Sequence, residues 1–387
     1  MRGRVRPTDY PRLPGPARFI ADMVSDLDAG RSVLAVFPDA AIESGIADAV
    51  LDDAAREGVT VEYCVESDEH FPARVLNTFG SDSVLNRGYD EWDSIINWEP
   101  WHRSWVILQG WQHRDIGEIV ERWPAQLKAC GLSIEDRPKL LIAVSLNELS
   151  RKTISHIDRD CVAVHWWWGV FDRLDTETRL VATTQRRLNP LDTAVVVEVA
   201  GWDLECAEFL AENWDRSTGG LPHALMQYRE SRSWTSGPDS PNNTDSYRVS
   251  AAPPAELEND WRAGLVDRWG LGIRSAPHTL GDKEVAQRIW MAHNRTLIPY
   301  VDEERAYFER VILRKASLRA LDGMRRRDDD IIEIGSLAWL VSSRRVDIGK
   351  EARLRLQAFR DLRNDLAHRR PVGDKLLSKI LGYLGIQ

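Results

Sequence analysis

The sequence predicts an α/β protein whose second part is all-helical. The first half alternates short apolar runs, which favour strands, with longer segments of helical periodicity. After Pro254 the helical pattern continues alone to the end. Strands that alternate with helices are joined by right-handed crossovers. We therefore expect a mostly parallel sheet with helices on both faces, a three-layer α/β arrangement, followed by a helical bundle.

Six apolar runs are predicted to be strands of this sheet, and helices are predicted between several of them. The fourth run is continuously apolar over residues 140–144, which is typical of a strand buried on both faces. The six runs cover residues 32–37, 59–65, 104–109, 139–145, 161–166 and 193–199. The helices expected between or after them cover residues 43–57, 115–130 and 204–214.

The composition changes near Ser217, which predicts a boundary between domains. Residues 216–254 are rich in Gly, Ser, Pro and Asn and are predicted to form a loop-rich linker. We expect an α/β domain over 1–215, this linker, a connecting helix within 255–282 and a helical domain over 283–387. Helices are predicted over residues 255–268, 282–298, 302–323, 330–343, 350–369 and 373–385, with a break at Pro299.

Charge and cysteine content exclude several classes of protein. The formal net charge is −9, so a nucleic acid would need a local basic patch. The arginine-rich end of the chain offers one at Arg353, Arg355, Arg360, Arg363, Arg369 and Arg370. The four cysteines are far apart and show no metal-ligand or disulfide spacing, so we expect no metal, no cofactor and a reducing cytoplasm. No apolar run is long enough to predict a membrane span or a signal peptide.

Residues 33–57 follow the strand, loop and helix order of a phosphate-binding loop. A working loop needs two glycines and a lysine, whose amides and ammonium group hold the phosphates. Over residues 37–44 both glycines are absent, and Glu43 stands at the lysine position. Gln109 stands where a magnesium-binding acid would end the third strand.

This layout resembles the P-loop ATPase modules of the AAA and STAND type, over about residues 18–215, through strand and helix order and without a specific motif. The resemblance implies a degenerate module that senses a trigger or protein partner, or acts as a scaffold, rather than one that hydrolyses nucleotide. An unrelated Rossmann-like layer fits the same pattern. A nucleotide-binding signalling ATPase with an unusual phosphate loop is a further hypothesis.

The predicted helix over 350–369 has one apolar face and one polar patch. Its apolar stripe consists of Ala352, Leu356, Phe359, Leu362 and Leu366. Arg363 borders the stripe, and Asn364 and His368 lie one turn apart on the same face. Ala367 leaves this patch sterically open, and Pro371 is expected to end the helix.

The spacing of Arg363 and His368 resembles the Arg-x4-His motif of HEPN domains, and Asn364 matches the common Arg-Asn start. With the upstream helices, the resemblance covers about residues 283–387. It implies metal-independent RNA cleavage, with the ribose 2′-hydroxyl as nucleophile. His368 would move a proton, Arg363 would hold the scissile phosphate, and Asn364 would bind the phosphate or orient the histidine.

The HEPN resemblance also implies partners and a biological setting. It predicts RNA as the substrate, with tRNA as one candidate, and a homodimer formed through the helical domain. The setting would be a bacterial defence or stress response, in which the first domain gates the nuclease. Many HEPN domains are not nucleases, so a non-enzymatic regulator with a docking or dimerisation domain is the alternative.

Overall fold

The computed structural model describes residues 7–58, 61–64, 67–79, 91–102, 104–184, 187–232, 250–317, 321 and 331–386. The chain divides into two compact units. An α/β unit comprises Met1–Thr178 and Pro241–Ala276, and a helical unit comprises Arg179–Ser240 and Pro277–Gln387. The division differs from the predicted domains, because 179–215 belongs to the helical unit and 241–276 belongs to the α/β unit.

A parallel sheet forms the centre of the α/β unit, as predicted. Among the described residues it has five strands, in the order β2-β3-β4-β1-β5, and all their pairings are parallel. Every residue of β1 and β4 is buried, so both faces of the sheet centre are covered. The strands are β1 (Ser32–Val36), β2 (Val61–Tyr63), β3 (Trp105–Gln109), β4 (Lys139–Val144) and β5 (Val162–Trp166).

Helices connect these strands, and their apolar sides complete the core. The indole of Trp123 donates a hydrogen bond to Ser32 Oγ at 2.7 Å, and the Leu140 amide donates to the same oxygen at 3.0 Å. The buried Ser32 is thereby satisfied. The helices of this unit are α1 (Pro14–Asp28), α2 (Asp39–Glu43), α3 (Ile46–Glu57), α4 (Phe71–Thr78), α5 (Trp92–Ile95), α6 (Ile116–Ala129) and α7 (Arg151–His156). Helix α8 (Arg173–Thr183) follows β5 and includes the first residues assigned to the helical unit.

The predicted sixth strand is wrong. Residues 193–199 lie inside helix α9 (Pro190–Ala200) of the helical unit. The Asn189 side chain caps the helix by accepting the Asp192 amide hydrogen at 2.8 Å, and Pro190 occupies the first turn. The helix is apolar because it is buried on nearly every side, and such a helix lacks the periodicity that separates helix from strand.

The region predicted as a linker and a connecting helix contains other elements in the structure. Within 216–254, residues Leu221–Ser231 form helix α11, and 233–249 lie outside the described residues. Within 255–282 the only described α-helix is the short α12 (Glu258–Arg262), before α13 begins at Asp282. It is followed by an antiparallel hairpin of β6 (Val266–Trp269) and β7 (Gly272–Ser275). Gly270, with φ +62°, opens its two-residue loop, a conformation that favours glycine.

The predicted break at Pro299 is wrong, because one helix of 34 residues, α13, runs from Asp282 to Lys315. A proline inside a helix costs about 3 kcal/mol. That cost is offset by packing on both sides of it, where Leu297, Val301 and Phe308 are buried in one core. The other helices of this unit are α10 (Leu204–Asn213), α14 (Ile334–Ser342), α15 (Lys350–Ala367) and α16 (Asp374–Leu384).

Candidate functional site

Helix α15 carries the predicted motif, and its apolar face lies in the core of the helical unit. Leu356, Phe359, Leu362 and Leu366 are buried and Ala352 is half-buried, which confirms the predicted stripe. The helix begins after Gly349, whose φ is +86°. The packed stripe fixes which side of the helix faces outward.

The predicted site residues lie on that outward side at the end of α15. Arg363, Asn364, Ala367 and His368 are all exposed. Arg363 and Asn364 lie within the helix, and His368 is its C-cap. The His368 amide donates to the Asn364 carbonyl at 3.0 Å, so the two residues are one turn apart, as expected. The structure therefore brings all three predicted residues to one open surface.

The backbone after His368 closes the helix in a Schellman arrangement. The Arg370 amide donates to the Asp365 carbonyl at 3.0 Å, and the Arg369 amide donates to the Leu366 carbonyl at 3.2 Å. Arg369 occupies the position that usually holds glycine, with φ +55°. An arginine there carries a local conformational cost, which other contacts of this segment must offset.

Two residues of α13 hold the segment that carries His368. The Trp290 indole donates to the Leu366 carbonyl at 2.7 Å, and the Arg369 guanidinium lies 5.9 Å from the Trp290 ring centroid. The Val372 amide donates to Nδ1 of the buried His293 at 3.1 Å. The segment is thus held at both ends, and His368 projects from a backbone with defined geometry.

Trp290 and His293 belong to no motif that predicts a functional residue. The two are three positions apart, so they share a face of α13. A tryptophan and a histidine with polar nitrogen atoms on an otherwise apolar helix face require partners when buried. That pattern is the signal that predicts a polar contact, but it does not identify the carbonyl or amide that supplies it.

Burial explains the state of His293. Desolvation lowers its pKa to about 4, and the nearby carboxylate of Asp374 only partly opposes this. The ring is therefore neutral at pH 7, with Nδ1 as an acceptor for Val372 and the proton on Nε2. A neutral His293 is required for this contact because a protonated Nδ1 could not accept a hydrogen bond.

Fewer arginines of the predicted basic patch are available to a ligand than the sequence indicates, because several pair with carboxylates. Arg355 forms a bidentate pair with Glu304, and Arg360 pairs with Asp361 at 2.8 Å. Arg353 lies 3.4 Å from Asp347. Arg363 makes only a long, exposed contact of 3.7 Å with Glu333, a geometry that contributes little. In the part of the chain that the structure describes, neither Arg369 nor Arg370 has a carboxylate within ion-pair distance.

The polar side chains of the motif are not bonded to one another. Over the described ranges, the side chains of Asn364 and His368 make no hydrogen bond or ion pair. Asp365 is half-buried, and its carboxylate makes no hydrogen bond with His368. The arrangement offers a cation, an amide and an imidazole to a ligand, and leaves their orientation to that ligand or to a second protein surface.

The α/β unit shows a different arrangement where a phosphate loop would lie. Helix α2 begins at Asp39, directly after β1, and the Ser44 hydroxyl donates to the Ala41 carbonyl at 3.2 Å. Arg262 of α12 binds Asp39 at 2.9 Å and also bonds Asn147. Side chains near the carboxyl ends of β1 and β4 are thus bonded within the unit.

The described residues hold no cluster of His, Cys, Asp or Glu side chains suited to a metal ion. Among the helices that the structure describes, none has the length and apolar character needed to cross a membrane. No family model matches the chain, and no curated protein matches its sequence.

Proposed function

We propose that the helical unit is a HEPN-type domain that binds RNA and cleaves it without a metal. The observation that carries the proposal is the exposure of Arg363, Asn364 and His368 on one side of the capped end of α15. These residues supply a phosphate-binding cation, an amide and an imidazole within two turns of helix. The proposed setting is a cytoplasmic defence or stress response in bacteria.

In this proposal His368 transfers a proton to or from an oxygen of the reacting RNA. The nucleophile is the ribose 2′-hydroxyl, which attacks the adjacent phosphate and expels the 5′-oxygen of the next nucleotide. Arg363 offsets the negative charge that builds on the phosphate, and Asn364 donates a hydrogen bond to it. A homodimer through the helical unit would present two such surfaces to one RNA strand.

The alternative is a non-enzymatic docking or dimerisation domain. It is favoured by one observation, which is that no side chain of the described residues orients the His368 ring. A general acid or base gains efficiency when a neighbour holds it in place. For the α/β unit we propose a sensing or scaffold role. Glu43 stands where a phosphate loop has its lysine, and Arg262 is already hydrogen-bonded to Asp39.

Cleavage of RNA by purified full-length protein tests the proposal. Total RNA and tRNA are incubated with wild type, His368→Ala and Arg363→Ala in the presence of EDTA. We expect wild type alone to produce fragments with 2′,3′-cyclic phosphate ends. Loss of a positioned acid or base is expected to lower the rate by about 10²-fold or more.

Arg310→Ala is the matched control, because Arg310 is an exposed arginine of α13 that lies outside the predicted basic patch. It is expected to cleave like wild type. Equal cleavage by all four proteins would remove Arg363 and His368 from the site. No cleavage by any of them, together with RNA binding that requires Arg363, would favour the docking role.

A further inference from the structure

The helical unit contains a cavity whose lining does not include Arg363, Asn364 or His368. Its volume is about 450 Å³, within the range of small-molecule sites. Its walls come from the start of α9, the loop after α10, the first third of α13, and α16. Leu191, Val195, Ile289, Leu377 and Leu381 supply apolar surface. The cavity therefore combines an apolar wall with the polar groups described below.

Hydrogen bonds fix the polar wall of this cavity. The Thr218 amide donates to Asp374 Oδ1 at 2.7 Å, and the Thr218 hydroxyl donates to the Val372 carbonyl at 3.1 Å. The Trp214 indole donates to the Ser217 carbonyl at 2.8 Å. The two Thr218 contacts join the loop after α10 to the start of α16, and the Trp214 contact stabilises the loop itself, so the wall exists before any ligand arrives.

His293 places a buried polar atom at the cavity. The residue is 3% exposed and lines the cavity, while its Nδ1 accepts the Val372 amide hydrogen. The neutral ring then carries its proton on Nε2. No described residue accepts a hydrogen bond from that nitrogen. A donor that has no protein partner at a cavity normally meets water or a ligand.

The charge of the lining selects the ligand. Three carboxylates line the cavity, those of Asp192, Asp215 and Asp374, against one guanidinium, that of Arg216, which leaves an excess of two negative charges. Arg216 is already engaged, since its Nε lies 3.5 Å from Asp192 and its Nη2 donates to the Arg187 carbonyl at 3.0 Å. His293 adds no charge at pH 7.

We propose that this cavity binds a small organic cation, a protonated primary amine on an apolar chain or ring. The apolar wall buries the body of such a molecule, and the carboxylate of Asp374 accepts from its ammonium group. An acceptor elsewhere on the ligand meets His293 Nε2. Phosphates and carboxylates are disfavoured because the lining is negative overall.

Calorimetry with three matched probes tests this assignment on the full-length protein. The probes are phenethylamine, 2-phenylethanol and 3-phenylpropionate, which share an aromatic body and differ in charge. We expect saturable binding of the amine, weaker binding of the alcohol and none of the acid. Added salt should lower the affinity for the amine and leave the affinity for the alcohol unchanged.

Two variants locate the binding. Asp374→Asn keeps an acceptor for Thr218 but removes the charge, and should weaken amine binding about tenfold. Ser378→Phe fills the cavity from an exposed position on α16 and should abolish binding. Asp282→Asn is the control, since Asp282 is likewise an exposed acid in the first turn of a helix, α13, away from the cavity.

The results separate the assignment from simpler explanations. Binding that distinguishes the three probes and is lost in both cavity variants, with Asp282→Asn like wild type, supports it. Equal binding of all probes, binding unchanged by both variants, or no binding of the amine overturns it. Thermal unfolding of each variant shows that it is folded, and the outcome is independent of RNA cleavage.

Discussion

The two units use their polar side chains in different ways. In the α/β unit, Arg262 is bonded to Asp39 and Asn147, and Arg151 is bonded to Glu258 at 2.8 Å. The polar groups near the carboxyl ends of β1 and β4 thus serve as contacts within the fold. At the end of α15 in the helical unit, the polar side chains of the motif face outward. The backbone that carries them is fixed by hydrogen bonds with Trp290 and His293.

This difference separates structural from ligand-binding groups. A side chain bonded within the fold stabilises it, and a ligand that recruits this side chain must first break those bonds. An exposed side chain contributes little to folding and is available to a partner. The combination of exposed polar side chains and a backbone fixed by Trp290 and His293 is therefore informative about function.

Removing Phe359 should give the largest effect, because its buried ring supports the backbone of the candidate site. Phe359→Ala is expected to lower the free energy of unfolding by about 3–5 kcal/mol. His368→Ala, an exposed change two to three turns further along, should alter it by less than about 0.5 kcal/mol. Urea denaturation of the two variants measures the difference. A large loss in His368→Ala would show that this histidine is structural.

The pH dependence of stability should have opposite sign at Asp267 and His293. Burial raises the pKa of Asp267 to about 7, so the folded state holds a proton that the unfolded chain releases above about pH 4. The Asp267 contribution to stability therefore falls as pH rises from about 4 to 7. Burial lowers the pKa of His293 to about 4, so its contribution falls as pH drops from about 6.5 to 4.

A variant at each position should reduce the dependence of stability on pH in the range where that residue titrates. Asp267→Asn resembles the protonated carboxyl and should be more stable than wild type at pH 8 by about 2–4 kcal/mol, with little gain at pH 4. The stability of His293→Asn should fall less than that of wild type as pH drops from about 6.5 to 4. Melting temperatures from pH 4 to 8 test both, with the exposed Asp22→Asn as control. Parallel slopes in wild type and variants would contradict the assignment.

Breaking the contact of Arg262 should have an intermediate effect. Arg262→Ala leaves Asp39 without its charged partner in a half-buried position and should cost about 1–2 kcal/mol. The exposed pair of Arg56 with Asp53 provides the control, and Arg56→Ala should cost less than about 0.5 kcal/mol.

The same variant tests the role of the carboxyl edge of the sheet. Neither wild type nor Arg262→Ala is expected to bind Mg-ATP in calorimetry, since Glu43 stands at the lysine position. Measurable affinity in wild type would show that the phosphate-loop interpretation is wrong. Affinity that appears only in the variant would show that Arg262 blocks a working site.

The smallest effect is expected at Arg369. Glycine relieves the left-handed conformation at φ +55°, while the contact of the guanidinium with Trp290 is lost. Arg369→Gly should raise the free energy of unfolding by about 0.5–1 kcal/mol or leave it unchanged. The gain from relieving the left-handed conformation and the loss of the contact with Trp290 are of similar size. Weaker RNA binding without a loss of stability would indicate that this strained arginine serves the ligand.

Local patterns were sufficient for much of the fold. The five parallel strands follow from their apolar runs, and α15 and α16 follow from periodicity and from the proline and glycine residues between them. The patch of Arg363, Asn364 and His368 follows from helical spacing on a helix with a clear apolar face. These features depend on neighbours within a few residues, which a sequence pattern contains.

Packing between distant segments explains two of the wrong predictions, the sixth strand and the helix break at Pro299. Residues 193–199 are as suitable for a buried strand as for a buried helix, and the surroundings of α9 decide between the two. The helix also continues through Pro299 because its buried residues on either side outweigh the missing hydrogen bond. The partners of Trp290 and His293 lie more than 70 positions away, and no local pattern identifies them.

Local patterns in the sequence predict the parallel sheet, the helical second part and the spacing of Arg363 and His368. These depend on side-chain type and on spacing along one helix or strand. The packing of distant segments determines which arginines of α15 form ion pairs among the described residues, how the end of α15 is held and where the cavity lies. Those properties depend on distances between segments remote in sequence, which the packing of the core sets.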